Sequence, residues 1–171
     1  YRGDQLRILV ERVRRVRQGL PLVVHLLSAT LPDPHALASR YVEEYQLVEV
    51  TGQREIEPYF AENNEAIWQL ARSRKWKKLL YFCNTRAKVE ETASQITERW
   101  RPYPVVAHHG SLERDRREEA EKVMKENDIA VCVATMTLEI GIDIGNIDAV
   151  VLVDPPWSVA ALLQRVGRGS R

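Results

Sequence analysis

Cysteine is scarce in this chain. Only Cys83 and Cys132 occur in 171 residues, each inside an apolar run, so a disulfide scaffold and a cysteine-built metal module are both excluded. They read as buried free thiols of a protein from a reducing compartment such as the cytoplasm. Long hydrophobic runs are missing: no stretch approaches the ~20 apolar residues that cross a bilayer, and no secretory signal pattern opens the chain. A charge imbalance is missing as well. The net charge of +1 excludes a grossly basic nucleic-acid glue, although it leaves room for local phosphate sites. None of the eight glycines precedes a lysine, so there is no phosphate loop of the G-x-x-x-x-G-K-[ST] kind. No Asp precedes Glu, so a paired acidic metal motif is lacking too, and no metal ligand set stands out. By itself the chain is not expected to hydrolyse a nucleoside triphosphate. Repeats and low-complexity segments are absent.

What is present is an alternation. The apolar stripe Leu6, Leu9, Val10, Val13, Val16 predicts a helix over Arg2 to Arg17, with six arginines on its other side that fit a solvated face. Leu22 to Leu27 reads as a buried strand ending at Ser28-Ala29-Thr30. A helix from Ala36 to Val42 and a strand from Leu47 to Val50 follow. Periodicity then lapses, which places a domain junction after residue 50. Beyond it come helix Asn63–Ala71, strand Leu79–Cys83, helix Ala87–Trp100, strand Val105–Ala107, helix Glu113–Lys125, strands Ile129–Ala134 and Ala149–Val153, and helix Val159–Val166. The strands are continuous apolar runs, the pattern of a parallel sheet covered on both faces by helices. The fold class is therefore α/β.

In open parallel sheets, ligands bind beyond the carboxyl ends of the strands. Here those ends run into Ser28-Ala29-Thr30, Asn84-Thr85-Arg86, His108-His109-Gly110-Ser111, Thr135 and Asp154-Pro155-Pro156. Hydroxyls, a glycine and helix N-terminal amides suit a phosphodiester backbone. Each turn alone also fits an ordinary helix cap. The last helix is expected to bury Val159, Leu162, Leu163 and Val166. If it continued, Gln164, Arg168 and Arg171 would gather within roughly 60° on the opposite face. Arginine suits bidentate phosphate recognition, and Gly167 and Gly169 would let a ligand come close.

Taken together, Ser28-Ala29-Thr30, Phe82-Cys83-Asn84-Thr85-Arg86, His109-Gly110-Ser111-Leu112 with Arg117, Ala134-Thr135 through Gly141-Ile142-Asp143-Ile144, and Gln164 to Arg171 resemble, in order, motifs of the superfamily 2 helicases. The wording of Tyr1-Arg2-Gly3, Leu138-Glu139-Ile140-Gly141 and Leu162-Leu163-Gln164-Arg165 is similar to the large helicase-related family and its DNA-acting relatives. The resemblance implies a RecA-like three-layer sandwich with a mostly parallel sheet in residues 51–171, cut within its last motif. It implies the end of a first RecA-like domain in residues 1–50. Both chain ends read as cut from a longer protein.

The resemblance further implies ATP between two such domains, with Mg²⁺ held by first-domain residues not included here. Gln164, Arg168 and Arg171 would face the γ-phosphate, Arg168 and Arg171 as arginine fingers, and Gly141 and Asp143 would meet the nucleotide, Asp143 at its ribose. Thr85, Arg86, His109, Gly110 and Thr135 would hold a single strand by its phosphates. Ser28 and Thr30 would couple the two events. The partner would be single-stranded or partly unwound nucleic acid, DNA ahead of RNA, and no membrane. The family usually ends this motif Gly-Arg-x-Gly-Arg; here Gly167-Arg168-Gly169-Ser170-Arg171 shifts the spacing by one. Two alternatives stand beside this reading: an RNA helicase of the DEAD-box branch, which Gln164 in place of the common His disfavours, and a non-catalytic RecA-like binding module.

Overall fold

The computed structural model describes residues 2–28, 33–49, 56–138 and 144–169. Two compact units emerge, 1–56 and 57–171, where the sequence pattern divides the chain after 50.

Among the described residues, the first unit holds two helices, α1 (Arg2–Val16) and α2 (Pro34–Ala38). Pro34 starts α2 and the Asp33 carboxylate accepts from Ala36 N at 2.8 Å, a proline start and an N-cap together. Polar contacts tie α1 to the segment after α2. Arg14 Nη2 donates to Tyr41 O at 2.6 Å, and Tyr41 Oη donates to Gly3 O at 3.1 Å. Arg14 is half-buried at its bond to Tyr41, while Arg7, Arg12, Arg15 and Arg17 are exposed, as expected of a solvated face. The expected strand at 22–27 is irregular backbone, with Leu27 94% exposed. An apolar run forms a buried parallel strand only with neighbours to bond, and the described residues of this unit contain no other strand. Residues 47–49 are likewise irregular, and Val50 lies outside the described residues.

The second unit carries α3 (Asn64–Arg74), β1 (Lys78–Phe82), α4 (Arg86–Thr97), β2 (Val105–His108), α5 (Arg114–Glu126), β3 (Ala130–Ala134), a 3₁₀ turn (Met136–Leu138), β4 (Ala149–Leu152) and α6 (Val159–Val166). The four strands form one sheet in the order β2-β3-β1-β4, every pairing parallel. Side chains alternate across a strand, so β1 serves two cores. Leu79, Tyr81 and Cys83 pack with Ala71, Val89, Ile96 and Trp100 under α3 and α4. Leu80 and Phe82 pack with Met124, Ala134, Leu138, Ile144 and Ile147 on the α5 side. This is a RecA-like three-layer α/β sandwich. Asp148 Oδ2 accepts from Lys77 N and Lys78 N at 2.7 and 2.8 Å, which pins the entry of β4 to that of β1. Both cysteines are buried and free. Burial pushes the Cys132 thiol up to about 12 and the Cys83 thiol upward as well, as expected for inert core thiols. No helix among the described residues is long and apolar enough to cross a membrane.

Candidate functional site

The carboxyl edge of the sheet collects the polar turns. After β1, the Thr85 hydroxyl caps α4 by accepting from Lys88 N at 3.2 Å, and its own proton remains available to a ligand. The exposed Arg86 reaches across to the loop after β2, where Nη1 donates to Ser111 Oγ at 3.0 Å. After β3, Thr135 N donates to His108 O at 3.1 Å, and Thr135 Oγ1 lies 3.4 Å from Thr137 Oγ1. Thr85, Arg86, Gly110 and Thr135 thus stand at the ends of the three adjacent strands β1, β2 and β3.

Two histidines stand at the end of β2, and His109, the one expected to meet a strand, faces inward. His109 is 6% exposed and its Nε2 pairs with Glu90 Oε1 at 2.7 Å. Its ring is turned into the protein, so this stretch presents backbone to the outside, not an imidazole. His108 is also buried, bridging Thr137 Oγ1 at 3.0 Å and Glu121 Oε1 at 3.1 Å through its two ring nitrogens. That bridge ties the 3₁₀ turn after β3 to α5. The neighbouring Gly110 is exposed, and a Cβ there would meet only Thr137 Cγ2, at an ordinary 3.7 Å. The fold itself makes no demand for glycine at 110.

The last helix corrects the expected face. Val159 and Leu163, both expected in the core, are 70% and 42% exposed. The fully buried residue is Arg165, at 1% exposure. Its guanidinium lies over the Phe82 ring, 5.3 Å from the centroid, and Nη2 donates to Asn84 Oδ1 at 3.0 Å. Asn84 in turn donates from Nδ2 to Pro155 O at 2.8 Å, and its backbone N–H donates to Asp154 Oδ2 at 2.8 Å. Sequence reasoning missed Arg165 and Asn84. The signal was present: on a helical wheel Arg165 falls within ~60° of Leu162 and ~40° of Ala161, on the apolar side.

Helical geometry also ends sooner than the gathering of Gln164, Arg168 and Arg171 requires. Ser158 Oγ accepts from Ala161 N at 3.1 Å to start α6, and Gly167 closes it, donating to Leu163 O at 2.9 Å. Arg168 N and Gly169 N then donate to Arg165 O and Val166 O, each at 3.1 Å, the tighter turn of a fraying helix end. A Cβ on Gly167 would approach Leu163 O to 2.9 Å, so this glycine serves the turn and not a ligand's approach. Gly169 then pairs with Ile147, just ahead of β4. Gln164 and Arg168 are half-buried. Since α6 starts at the carboxyl edge and its tail pairs beside the entry of β4, the backbone at Arg168 runs toward the opposite edge from the polar turns. Gly141, Asp143, Thr30 and Arg171 lie outside the described residues, and Ser28 is exposed in the first unit.

The helicase conserved C-terminal domain model matches residues 62–171. The ATP-dependent helicase Lhr-Core of Methanocaldococcus jannaschii is 31% identical over 181 residues, which cover 98% of this chain and 21% of that protein. The chain therefore spans about a fifth of that relative's length. Among solved structures, the Mycobacterium smegmatis helicase Lhr bound to ssDNA and AMP-PNP is 28% identical with a TM-score of 0.72, covering 98% of this chain and 25% of that one. The DUF1998 helicase MrfA bound to DNA and AMPPNP superimposes with a TM-score of 0.79 at 24% identity, over 99% of this chain and 27% of its own.

Proposed function

The chain belongs to the helicase conserved C-terminal domain family, as an Lhr-like RecA-like domain of superfamily 2, and from that premise we propose that it is the second half of an ATP-driven motor. The motor moves along single-stranded or partly unwound nucleic acid, DNA ahead of RNA. The observation that carries this reading is the separation of two phosphate-suited sets on one sheet. Thr85, Arg86, Gly110 and Thr135 stand at the carboxyl edge, while Gly169, next to Arg168, pairs beside the entry of β4.

The donor set fits a nucleotide shared with a partner domain. A guanidinium and an amide, from Arg168 and Gln164, suit phosphate oxygens. Mg²⁺ would be held by residues of that partner domain. When bound, ATP supplies the phosphoryl group transferred to water. Arg168, with Arg171, offsets the negative charge that develops during that transfer, and Gln164 helps orient the reacting groups. Gly141 and Asp143 would approach the nucleotide. The edge turns hold the strand by its phosphates: Thr85 and Thr135 through hydroxyls, Arg86 through its charge, and the 109–110 stretch through its backbone. Ser28 and Thr30 would link cleft closure to strand movement.

Steady-state ATP hydrolysis tests this on the full-length protein and on residues 1–171 alone, each with and without a single strand of DNA or RNA. The full-length protein should show strand-stimulated turnover, more with DNA, and the 171-residue chain none above background. Turnover by the chain alone, or full-length hydrolysis indifferent to nucleic acid, would overturn the proposal.

A further inference from the structure

Asn84 sits where three elements meet. It follows β1 and immediately precedes Thr85, the cap of α4 and a proposed strand contact. Its amide Oδ1 accepts from Arg165 Nη2 on α6 at 3.0 Å, while Nδ2 donates to Pro155 O in the loop that leads into α6 at 2.8 Å. These two bonds need opposite chemistry. A guanidinium only donates and a carbonyl only accepts, so the side chain between them must offer both an acceptor and a donor. Asparagine does; aspartate can serve only Arg165, and leucine serves neither. The backbone N–H of Asn84 is also held, by Asp154 Oδ2 at 2.8 Å.

The other end of this link is equally fixed. Arg165 is 1% exposed and its guanidinium lies 5.3 Å over the Phe82 ring centroid. Its carbonyl accepts from Arg168 N at 3.1 Å, so Arg168 is one turn further along the same backbone. A shift of the Thr85–Arg86 turn would therefore pass through Asn84 to Arg165, and from Arg165 to the base of Arg168. At 1% exposure the Arg165 guanidinium cannot trade its bond to Asn84 for one to water, so it follows its partner or loses that bond.

Resting on the motor reading above, we propose that the Asn84–Arg165 pair is a positioning latch that sets the arginine finger Arg168 according to whether the Thr85–Arg86 turn holds a strand. Neither residue touches ATP or nucleic acid; both act through their neighbours. The latch predicts a loss in kcat of the strand-stimulated reaction, with strand affinity and nucleotide KM little changed.

The test uses full-length protein. Asn84→Leu, Asn84→Asp, Arg165→Lys and Arg168→Ala are compared with wild type for thermal midpoint, strand affinity, ATP KM and kcat with and without strand. Asn84→Leu should cut the ratio of stimulated to unstimulated kcat at least tenfold while strand affinity and KM stay within about threefold. Asn84→Asp keeps the acceptor for Arg165 and should restore most of that ratio. Arg165→Lys loses the planar fork and should follow Asn84→Leu. If Arg165→Lys fails to fold, the two Asn84 variants decide the matter. Unchanged stimulation in Asn84→Leu would overturn the latch, as would parallel losses of affinity, KM and thermal midpoint with no rescue by Asp. Arg168→Ala separates the two levels of failure. If it turns over normally, the motor reading itself falls; if it is inactive while Asn84→Leu is fully stimulated, only the latch falls.

Discussion

Gly110 and Gly167 look alike in the sequence, and their surroundings assign them different roles. Gly167 is required by the protein, because a Cβ there would press on Leu163 O at 2.9 Å. Gly110 is not, because a Cβ would find only an ordinary contact at 3.7 Å and its backbone is not in the left-handed region. Gly110→Ala should therefore leave thermal stability unchanged or raise it by up to about 1 kcal/mol, through the unfolded chain. The same substitution should weaken single-strand binding of the full-length protein about tenfold, roughly 1.4 kcal/mol, if a phosphate passes close to that backbone. Calorimetry and a binding titration on the same sample check this. Lost stability with intact binding would make Gly110 a structural glycine. His109 and Arg165 carry a related lesson. Each is a charged or polar residue whose type suggests an exposed ligand contact, and each is buried on a specific partner, Glu90 and Asn84. Residue type in a motif does not reveal which way a side chain turns.

At the level of elements, periodicity was enough where an element buries its own pattern. The four strands and four helices described in the second unit stand within a few residues of their expected limits, and α6 matches Val159–Val166 at both ends. Ser158, Thr85 and Asn63 mark three of those helix starts, and each has its side-chain oxygen on a backbone N–H two or three residues into the helix. The expected strand at 22–27 was not legible in the same way, because a strand is defined by its neighbours and its own residues cannot supply them. The face of α6 was misjudged because a buried guanidinium on an aromatic ring outweighs two exposed aliphatic side chains. The carboxyl edge gives a prediction of its own. Its contacts suit phosphates, which fix register without reading sequence. Affinity of the full-length protein should therefore be sequence-tolerant and fall with salt by about 0.7 log units per ionic contact per log unit of salt. Arg86→Ala should weaken binding evenly and flatten that slope by under one unit, whereas Thr135→Ala should weaken binding with little change of slope. Titrations at several salt concentrations on two unrelated strands measure both. A loss confined to one sequence would mean the edge reads bases.

Taken as a whole, the second unit is a four-stranded parallel sheet with covered faces and chemistry at its margins. Its fold and family follow from its motifs, its topology and its relatives. The proposed ATP hydrolysis needs a phosphate loop and a paired acidic motif, and neither is in this sequence. The central claim is that α6 and its tail deliver Arg168 to a nucleotide held elsewhere. The most direct test is the kcat of full-length Arg168→Ala at saturating ATP and single strand, measured beside its nucleotide affinity. A finger that acts on the transition state should leave affinity near wild type and lower kcat by ~10³ to 10⁵. A loss of less than tenfold would contradict the account.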